Sequence, residues 1–204
     1  MKIHTKLLLI LFVSNWIFLV FLFSAQEKMQ AKIGILVQSG KKTSQARHNQ
    51  KIKAGDKLRV YVFPFSDAYI YLVYSNKKQV SLLNAASEPT KVGKDTLLTL
   101  PSTEDFYSFD GDSKIEALTL ICSPRRLENL EHFLISENLT YERWREMEKT
   151  LEQKSQIELS EQTEISPDIA GNVRGFNLEA ALGALQTFSG KSLLVKRYQF
   201  RVKQ

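Results

Sequence analysis

Apolar and polar residues alternate along much of the chain between residues 32 and 122. A period of two is typical of strands that bury one face. Seven short strands that follow each other at about 8 to 12 residues predict a β-sandwich or barrel. We expect a mainly β fold, an antiparallel sandwich that is immunoglobulin-like or related. The alternating windows are 32–38, 57–63, 68–74, 79–83, 96–100, 106–109 and 114–122.

The second and third windows are expected to pair as a hairpin. Pro64 between them fixes its own φ, and Asp67 can hydrogen-bond to its own backbone, so both favour a tight turn. In the third window Ile70 and Leu72 then share the face that is predicted to enter the core.

The period changes to that of helices after Ser123. Ser123 is a suitable N-cap and Pro124 suits the first turn of a helix. An apolar stripe follows at Leu127, Leu130 and Leu134. A second stripe, at spacings of three and four, predicts a second helix with Thr140 as its cap and consists of Tyr141, Trp144, Met147 and Leu151. We expect these helices, within residues 124–151, to pack on the sheet formed by residues 26–123.

The C-terminal third is predicted to contain a linker, a helix and a strand. Residues 152–176 are polar and aperiodic, which is typical of a linker or long loop. Asn177 suits the cap of a third, short helix running through Thr187 and stopping at Gly190. Residues 194–202 alternate again, with Arg197 and Arg201 on the polar side. This pattern predicts an edge strand within 177–204 that returns to the sheet and keeps its basic face in solvent.

The first 25 residues predict export. Lys2 and Lys6 precede an apolar run, residues 7–23, that contains no charge. At about 1.5 Å per residue this run is shorter than a hydrocarbon core of about 30 Å, which favours a signal peptide. Bulky Phe23 lies where a cleavage site needs a small residue, which favours a retained anchor. Both alternatives place the rest of the chain outside the cytoplasmic membrane, in the periplasm or cell envelope, with membrane contact only through residues 7–23 if they are retained.

The mild excess of positive charge indicates that nucleic acid is not the partner of this chain. The chain has a formal net charge of +6, which falls to +4 without the two lysines of the export segment. A nucleic-acid-binding protein is expected to concentrate Lys and Arg on one element, and export separates this chain from most nucleic acid.

Residues 52–123 contain an ordered series of turn and strand motifs. They are Ala54-Gly55-Asp56-Lys57-Leu58-Arg59-Val60, Asp67-Ala68-Tyr69-Ile70-Tyr71-Leu72, Val80-Ser81-Leu82-Leu83, Val92-Gly93, Leu100-Pro101 and Ile115-Glu116-Ala117-Leu118. With these motifs the segment resembles a bacterial family known as domain of unknown function 4384. The chain departs from the family at Lys77-Lys78, where members tend to have Gly, and at Leu83-Asn84, where they tend to have Phe-Pro. The resemblance implies a small β-sandwich module of the kind that follows kinase or caspase-like domains, and it implies no catalytic residue.

Arg59, Tyr61, Tyr69 and Tyr71 are the candidate binding residues of the predicted hairpin. If the two strands pair, these side chains share a face that could stack on sugar rings or anchor a protein. The alternative is cross-strand aromatic packing covered by the C-terminal helices. In that case the partner surface is expected at the edge of the sheet or on the basic strand that carries Arg197 and Arg201.

No catalytic, metal or cofactor site is predicted. Cys122, His48 and His132 are the only obvious candidates for a nucleophile and its base. Cys122 is the only cysteine and alternates with leucines, so it is expected to be a small buried hydrophobic residue. Asp110-Gly111-Asp112-Ser113 lacks the glycine position and terminal glutamate of a calcium loop and is interpreted as a turn.

Two hypotheses for the function follow. The first is a non-enzymatic exported module of the cell envelope that binds a protein partner or joins a complex. The second is a ligand-sensing or carbohydrate-binding module, or a hydrolase whose site is assembled from scattered residues. A pocket with convergent polar groups would favour the second hypothesis.

Overall fold

The computed structural model describes residues 28–84, 90–159, 183 and 185–203. These residues form a mainly β structure with thirteen strands and two helices. The strands are β1 (Met29–Ser39), β2 (Lys42–Gln45), β3 (Gln50–Lys53), β4 (Lys57–Pro64), β5 (Ala68–Ser75), β6 (Val80–Leu82), β7 (Thr90–Val92), β8 (Leu98–Leu100), β9 (Tyr107–Ser108), β10 (Ile115–Ser123), β11 (Glu158–Leu159), β12 (Gln186–Gly190) and β13 (Leu194–Lys203). The helices are α1 (Glu128–Leu134) and α2 (Tyr141–Ser155).

The strands form two separate sheets and not a barrel. The first sheet has the order β11-β12-β1-β4-β8, with β2 also paired to β1 and β9 to β4. The second has the order β3-β13-β10-β5-β6, with β7 also paired to β5. All pairs are antiparallel except β3 with β13, which run parallel. The prediction of a mainly β chain is confirmed, and the prediction of purely antiparallel pairing is wrong at this one strand.

The predicted hairpin of β4 and β5 does not exist. Strand β4 pairs with β1, with Val60 opposite Ile35, while β5 pairs with β10, with Leu72 opposite Leu120. The turn that contains Asp67 therefore carries the chain from one sheet to the other. The alternation of apolar residues reports which face of a strand is buried and carries no information about its neighbour, which is why consecutive windows were paired incorrectly.

One hydrophobic cluster contains the inward side chains of both sheets. Ile33, Val60 and Val62 come from the first sheet, and Leu72 and Leu120 come from the second. Each of these five side chains is at most 1% exposed. Apolar faces of this kind are stable only when another layer covers them, so this cluster is what joins the two sheets.

A second cluster lies on the outer face of the second sheet, beneath the helices. Tyr71 and Ile121 come from the sheet, and Leu130, Trp144 and Leu151 come from α1 and α2. The predicted stripes of both helices therefore face the sheet, as expected. The second sheet is consequently buried on both faces over this region.

The two helices begin differently from each other. Thr140 caps α2 as predicted, because its hydroxyl accepts a hydrogen bond from the Arg143 N–H at 3.3 Å. The predicted cap at Ser123 is wrong: Ser123 ends β10, and α1 begins at Glu128 after Leu127, which provides no side-chain cap. Pairing of Ser123 with Tyr69 in the ladder outweighs its local preference for a helix start.

The C-terminal part differs from its prediction in three places. Helix α2 continues through Ser155 and β11 follows, so the predicted linker begins later than residue 152. Residues 186–190 form β12 and pair with β1, so the predicted helix does not extend to Thr187; most of that helix and of the linker lie outside the described residues. The prediction that β13 is an edge strand is wrong at residues 200–203, where β3 pairs with it.

The predicted export segment lies outside the described residues. Within the described ranges, no helix is long and apolar enough to cross a membrane. The export prediction therefore stays a prediction.

Candidate functional site

The predicted binding residues do not share one surface. Arg59 and Tyr61 are on β4 in the first sheet, and Tyr69 and Tyr71 are on β5 in the second. Arg59 and Tyr61 are buried, at 9% and 2% exposure, and so is Tyr71. The predicted aromatic face is wrong because it depended on the hairpin that the structure replaces with a crossing between sheets.

Arg59 has a structural role in the first sheet. Its Nε and Nη2 atoms donate to the carbonyl oxygen of Asp105 at 3.1 and 3.0 Å. Its guanidinium carbon lies 3.9 Å from the centre of the Phe106 ring, a distance suited to a cation–π contact. Arg59 therefore holds the loop that contains residues 105 and 106 against the outer face of the sheet.

Tyr71 anchors the start of α1. Its hydroxyl donates to Glu131 Oε1 at 2.9 Å and accepts from the Leu127 N–H at 2.7 Å. Burial raises the pKa of Tyr71, so the hydroxyl stays protonated and available as a donor. Arg126 completes the contact by pairing with Glu131 at 2.8 Å and lowering the pKa of that carboxyl. Half-buried Tyr69 packs against the hydrophobic cluster beneath α1 and α2. The C-terminal helices therefore cover the Tyr69 and Tyr71 rings, as the alternative of cross-strand packing expected.

Arg197 is largely covered by α2, with its side chain 11% exposed, and does not lie in solvent as predicted. Its Nη1 atom lies 2.9 and 2.8 Å from the two carboxylate oxygens of Glu148, which is 0% exposed. Thr119 and Arg145 also donate to Glu148. Burial lowers the pKa of Arg197, but the adjacent carboxylate gives its charge a partner. These four residues fix α2 on the second sheet and leave Arg197 unavailable to a partner.

Arg201 lies in an exposed group of cations at the other end of β13. The parallel register places Arg201 beside Lys51 and Lys203 beside Lys53, and residues in register on neighbouring strands share a face. All four side chains are exposed. None of them forms an ion pair with a described residue. We call Lys51, Lys53, Arg201 and Lys203 the basic strip.

A partly open cavity of about 160 Å³ lies between the two sheets at the end where β4 and β10 begin. Its apolar wall includes Leu58 from the first sheet and Leu118 from the second. Its polar lining consists of Tyr74, Gln79, Ser81, Tyr107, Ser108 and Asp110. The cavity is smaller than the roughly 300 to 1,000 Å³ of most ligand sites, so it gives little support to the ligand-binding hypothesis. We call it the inter-sheet cavity.

Glu116 lies on β10 two residues before Leu118, so its side chain faces the interior between the sheets, although it is not one of the residues that line the cavity. It is 0% exposed, and its neighbours are the Tyr74 hydroxyl, the Asp110 carboxyl and the backbone of Ser113. Burial raises the pKa of Glu116 to about 7; the neighbouring Asp110 carboxyl acts in the same direction and the Tyr74 hydroxyl acts against it.

The loop that carries Asp110 is held by backbone contacts and a glycine. The Phe109 carbonyl accepts from the Gly55 N–H at 2.9 Å, and Asp110 Oδ1 accepts from the Asp112 N–H at 2.9 Å. Gly111 has φ +78°, and a Cβ atom there would lie 2.8 Å from the Ala54 Cβ. The positive φ and the close approach of Ala54 both favour glycine at this position, and together they fix the loop that places Asp110 at the cavity.

Neither Glu116 nor the cavity is predicted from the sequence. The available signal is a carboxylate in a strand that otherwise reads as buried on both faces, where an acidic residue is costly. Tyr74 lies in the third alternating window, and Asp110 belongs to the segment that is interpreted as a turn. Their approach to Glu116 depends on the pairing of β5 with β10, which the sequence does not specify.

The three residues considered for nucleophilic chemistry differ in their exposure to solvent. Cys122 is fully buried, as predicted, and burial raises the pKa of its thiol to about 12. His48 and His132 are both exposed. Across the described ranges, no three His, Cys, Asp or Glu side chains are grouped in a way that suits a metal ion.

Comparison with protein-family models, curated proteins and solved structures found no match for this chain. The resemblance of residues 52–123 to the family of unknown function therefore stays a prediction that rests on the residues themselves. The function has to be inferred from the contacts and the exposed surfaces of this chain.

We predict that Glu148→Ala destabilises the protein by about 3 to 5 kcal/mol, because it removes the carboxylate that balances the charge of Arg197, whose side chain is only 11% exposed. The matched control is Glu146→Ala, which removes an exposed carboxylate from the same helix and is expected to stay within about 0.5 kcal/mol. Urea unfolding followed by circular dichroism measures both. Similar losses for the two variants would show that the contact with Arg197 contributes little.

Glu116 predicts a pH dependence of stability. Its pKa in the folded protein lies above the ordinary value of 4.5, so the folded state binds the proton more tightly. The stabilisation is therefore fully present below about pH 4.5 and is lost as the pH rises through about 7. Between about pH 5 and pH 8 we expect the unfolding free energy of the wild type to fall, relative to Glu116→Gln, by on the order of 2 kcal/mol. The exposed Glu104→Gln variant should follow the wild type, and a parallel profile for Glu116→Gln would refute the assignment.

Proposed function

We propose that this protein is a non-enzymatic, exported module of the cell envelope that binds an acidic protein partner through the basic strip. The proposal rests on four exposed cations on two adjacent strands, none of which forms an ion pair with a described residue. We also propose that the two sheets form a β-sandwich, immunoglobulin-like or related, which is supported by the hydrophobic cluster that they share.

The arrangement of charge in the basic strip favours an anionic partner. Lys51 lies beside Arg201, and Lys53 lies beside Lys203. Like charges on directly neighbouring strand positions repel each other and are destabilising. An acidic surface would turn this repulsion into attraction, and the guanidinium of Arg201 suits bidentate contact with a carboxylate.

An apolar residue adjoins the strip and favours a protein as the source of the negative charge. Ile115 lies opposite Arg201 in the register of β10 with β13 and is 42% exposed. Protein interfaces combine an apolar centre with charged residues around it. An acidic segment that also carries an apolar side chain would satisfy both Ile115 and the cations.

Three of the residues that were predicted to bind a partner have structural partners instead. Arg59 holds a loop, Tyr71 holds α1 and Arg197 holds α2 through Glu148. These contacts explain the three residues without any reaction and support the non-enzymatic proposal. Export is supported by the charge and hydropathy of the first 25 residues.

The proposal predicts that the basic strip binds a fluorescent peptide of about ten residues that combines glutamates with one leucine. Fluorescence anisotropy should show that the double variant Lys51→Glu with Arg201→Glu weakens binding at least tenfold, or by about 1.4 kcal/mol or more. The matched control is Lys91→Glu with Lys149→Glu, which changes the net charge equally at exposed positions on β7 and α2. This control is expected to weaken binding less than about threefold, through long-range attraction alone.

Two outcomes would contradict the proposal. Equal losses for the two double variants would mean that binding follows net charge and not the strip. Tighter binding to vesicles that contain phosphatidylglycerol than to the peptide, abolished by the strip variant, would assign the surface to a membrane.

A further inference from the structure

Strand β13 has an open edge over residues 194–199. On one side the strand pairs with β10, but on the other side β3 reaches only residues 200–203. No other strand of the described ranges pairs with β13. Residues 194–199 therefore form an edge of the second sheet, and an edge of this kind can accept a strand from another chain.

Unpaired backbone groups point out of this edge at Arg197. The Val195 N–H donates to Ser155 Oγ at 3.0 Å, so it points away from β10. The Gln199 carbonyl accepts from the Asn49 N–H at 2.8 Å and points the same way. Alternate residues of a strand direct their backbone groups to the same side, so the N–H and C=O of Arg197 also point outward. Neither of these two backbone groups forms a hydrogen bond within the described part of the chain.

The side chain of Lys196 lies on the inner side of this edge. Leu194 and Tyr198 belong to the cluster between the sheets, and Lys196 shares their face because it alternates with them. Its Nζ atom lies 4.5 Å from the centre of the buried Phe188 ring and 5.6 Å from that of Tyr198. The side chain is half-buried and forms no ion pair with any residue that the structure describes. Burial accordingly lowers the pKa of its ammonium group.

Packing within one copy of the chain does not explain a lysine at this position. The other inward residues of β13 are apolar or aromatic and are Leu194, Tyr198, Phe200 and Val202. A leucine at position 196 would cover the Phe188 ring without removing a charge from water, which is costly. The contacts with the two rings return only part of that cost. A charged side chain that points inward on an edge strand does have a known effect, because it opposes the addition of a further strand.

We propose that Lys196 prevents the open edge of β13 from pairing with the same edge of a second copy of this chain. In such a dimer the outward N–H and C=O of Arg197 in one copy would pair with those of the other, and the two sheets would become continuous. Both Lys196 ammonium groups would then lie on one inner face with less water around each, and they would repel each other. The inference is independent of the basic strip, which involves other residues.

The test compares full-length wild type with Lys196→Leu by light scattering over a range of protein concentrations. We expect the mass of Lys196→Leu to rise with concentration toward that of a dimer, while the mass of the wild type does not. Lys196→Met is a second neutral variant, with an unbranched side chain, and should also dimerise. Lys196→Arg keeps the charge and should behave as the wild type does. Lys191→Leu is the matched control, because it adds the same side chain at an exposed position of the adjoining turn.

Amide hydrogen exchange locates the contact. In the wild type the Arg197 amide should exchange at least tenfold faster than the amides of Lys196 and Tyr198, which point toward β10. In the Lys196→Leu dimer the Arg197 amide should become at least tenfold slower, because it is then paired.

Three results would overturn the proposal. The first is that folded Lys196→Leu and Lys196→Met have the same mass as the wild type at every concentration. The second is a slowly exchanging Arg197 amide in the wild type, which would mean that the edge is already covered. The third is equal association of Lys191→Leu and Lys196→Leu, or a dimer in which Arg197 stays unprotected, since either would attribute association to an added leucine and not to the edge.

Discussion

Burial of β10 on both of its faces is the constraint on which the rest of the structure depends. Its inner face contributes Leu118 and Leu120 to the cluster between the sheets, and its outer face contributes Ile121 to the cluster beneath the helices. The strand pairs along most of its length with β5 on one side and β13 on the other. Both clusters, both helices and the last strand are therefore arranged around one nine-residue segment.

Two of the polar side chains of β10, Thr119 and Glu116, show how such burial is tolerated. Thr119 points outward and donates to Glu148, whose charge is balanced by Arg197 and Arg145. Glu116 points inward, beside the Tyr74 hydroxyl and the Asp110 carboxyl, and burial raises its pKa to about 7. The outer group pairs its charges and fixes α2, whereas the inner carboxyl is accommodated by holding its proton more tightly.

Local patterns predicted the elements and not their neighbours. The seven alternating windows all contain strands, and the stripes of α1 and α2 face the sheet, because periodicity reports burial directly. Short strands such as β3 and β7 were missed, since three or four residues carry too little periodicity. The pairing of β4 with β1 and of β5 with β10 depends on contacts distant in sequence, and no turn residue records them.

The same limit applied to the candidate sites. Arg201 was expected to be exposed and is exposed, because its strand alternates clearly. Arg197 has the same alternation but is covered by Glu148 from a helix that starts more than fifty residues earlier in the chain. Glu116 was placed on a buried strand, but its nearness to Tyr74 and Asp110 follows only from the pairing of β5 with β10 and from the turn at Gly111. Sequence patterns locate charged residues on faces, and only the assembled sheets decide which of them meet.

The most direct test of the central claim uses the single thiol of the chain. Cys122 lies on β10 and is 0% exposed, so it should react with dithionitrobenzoate only when that strand opens. The measurement is the reaction rate as a function of urea concentration, compared with the urea dependence of global unfolding. If β10 is buried on both faces, the two dependences agree, since no smaller opening exposes the thiol. A markedly weaker urea dependence, with reaction far faster than global unfolding allows, would show that β10 opens locally and would contradict the two-sided burial described above.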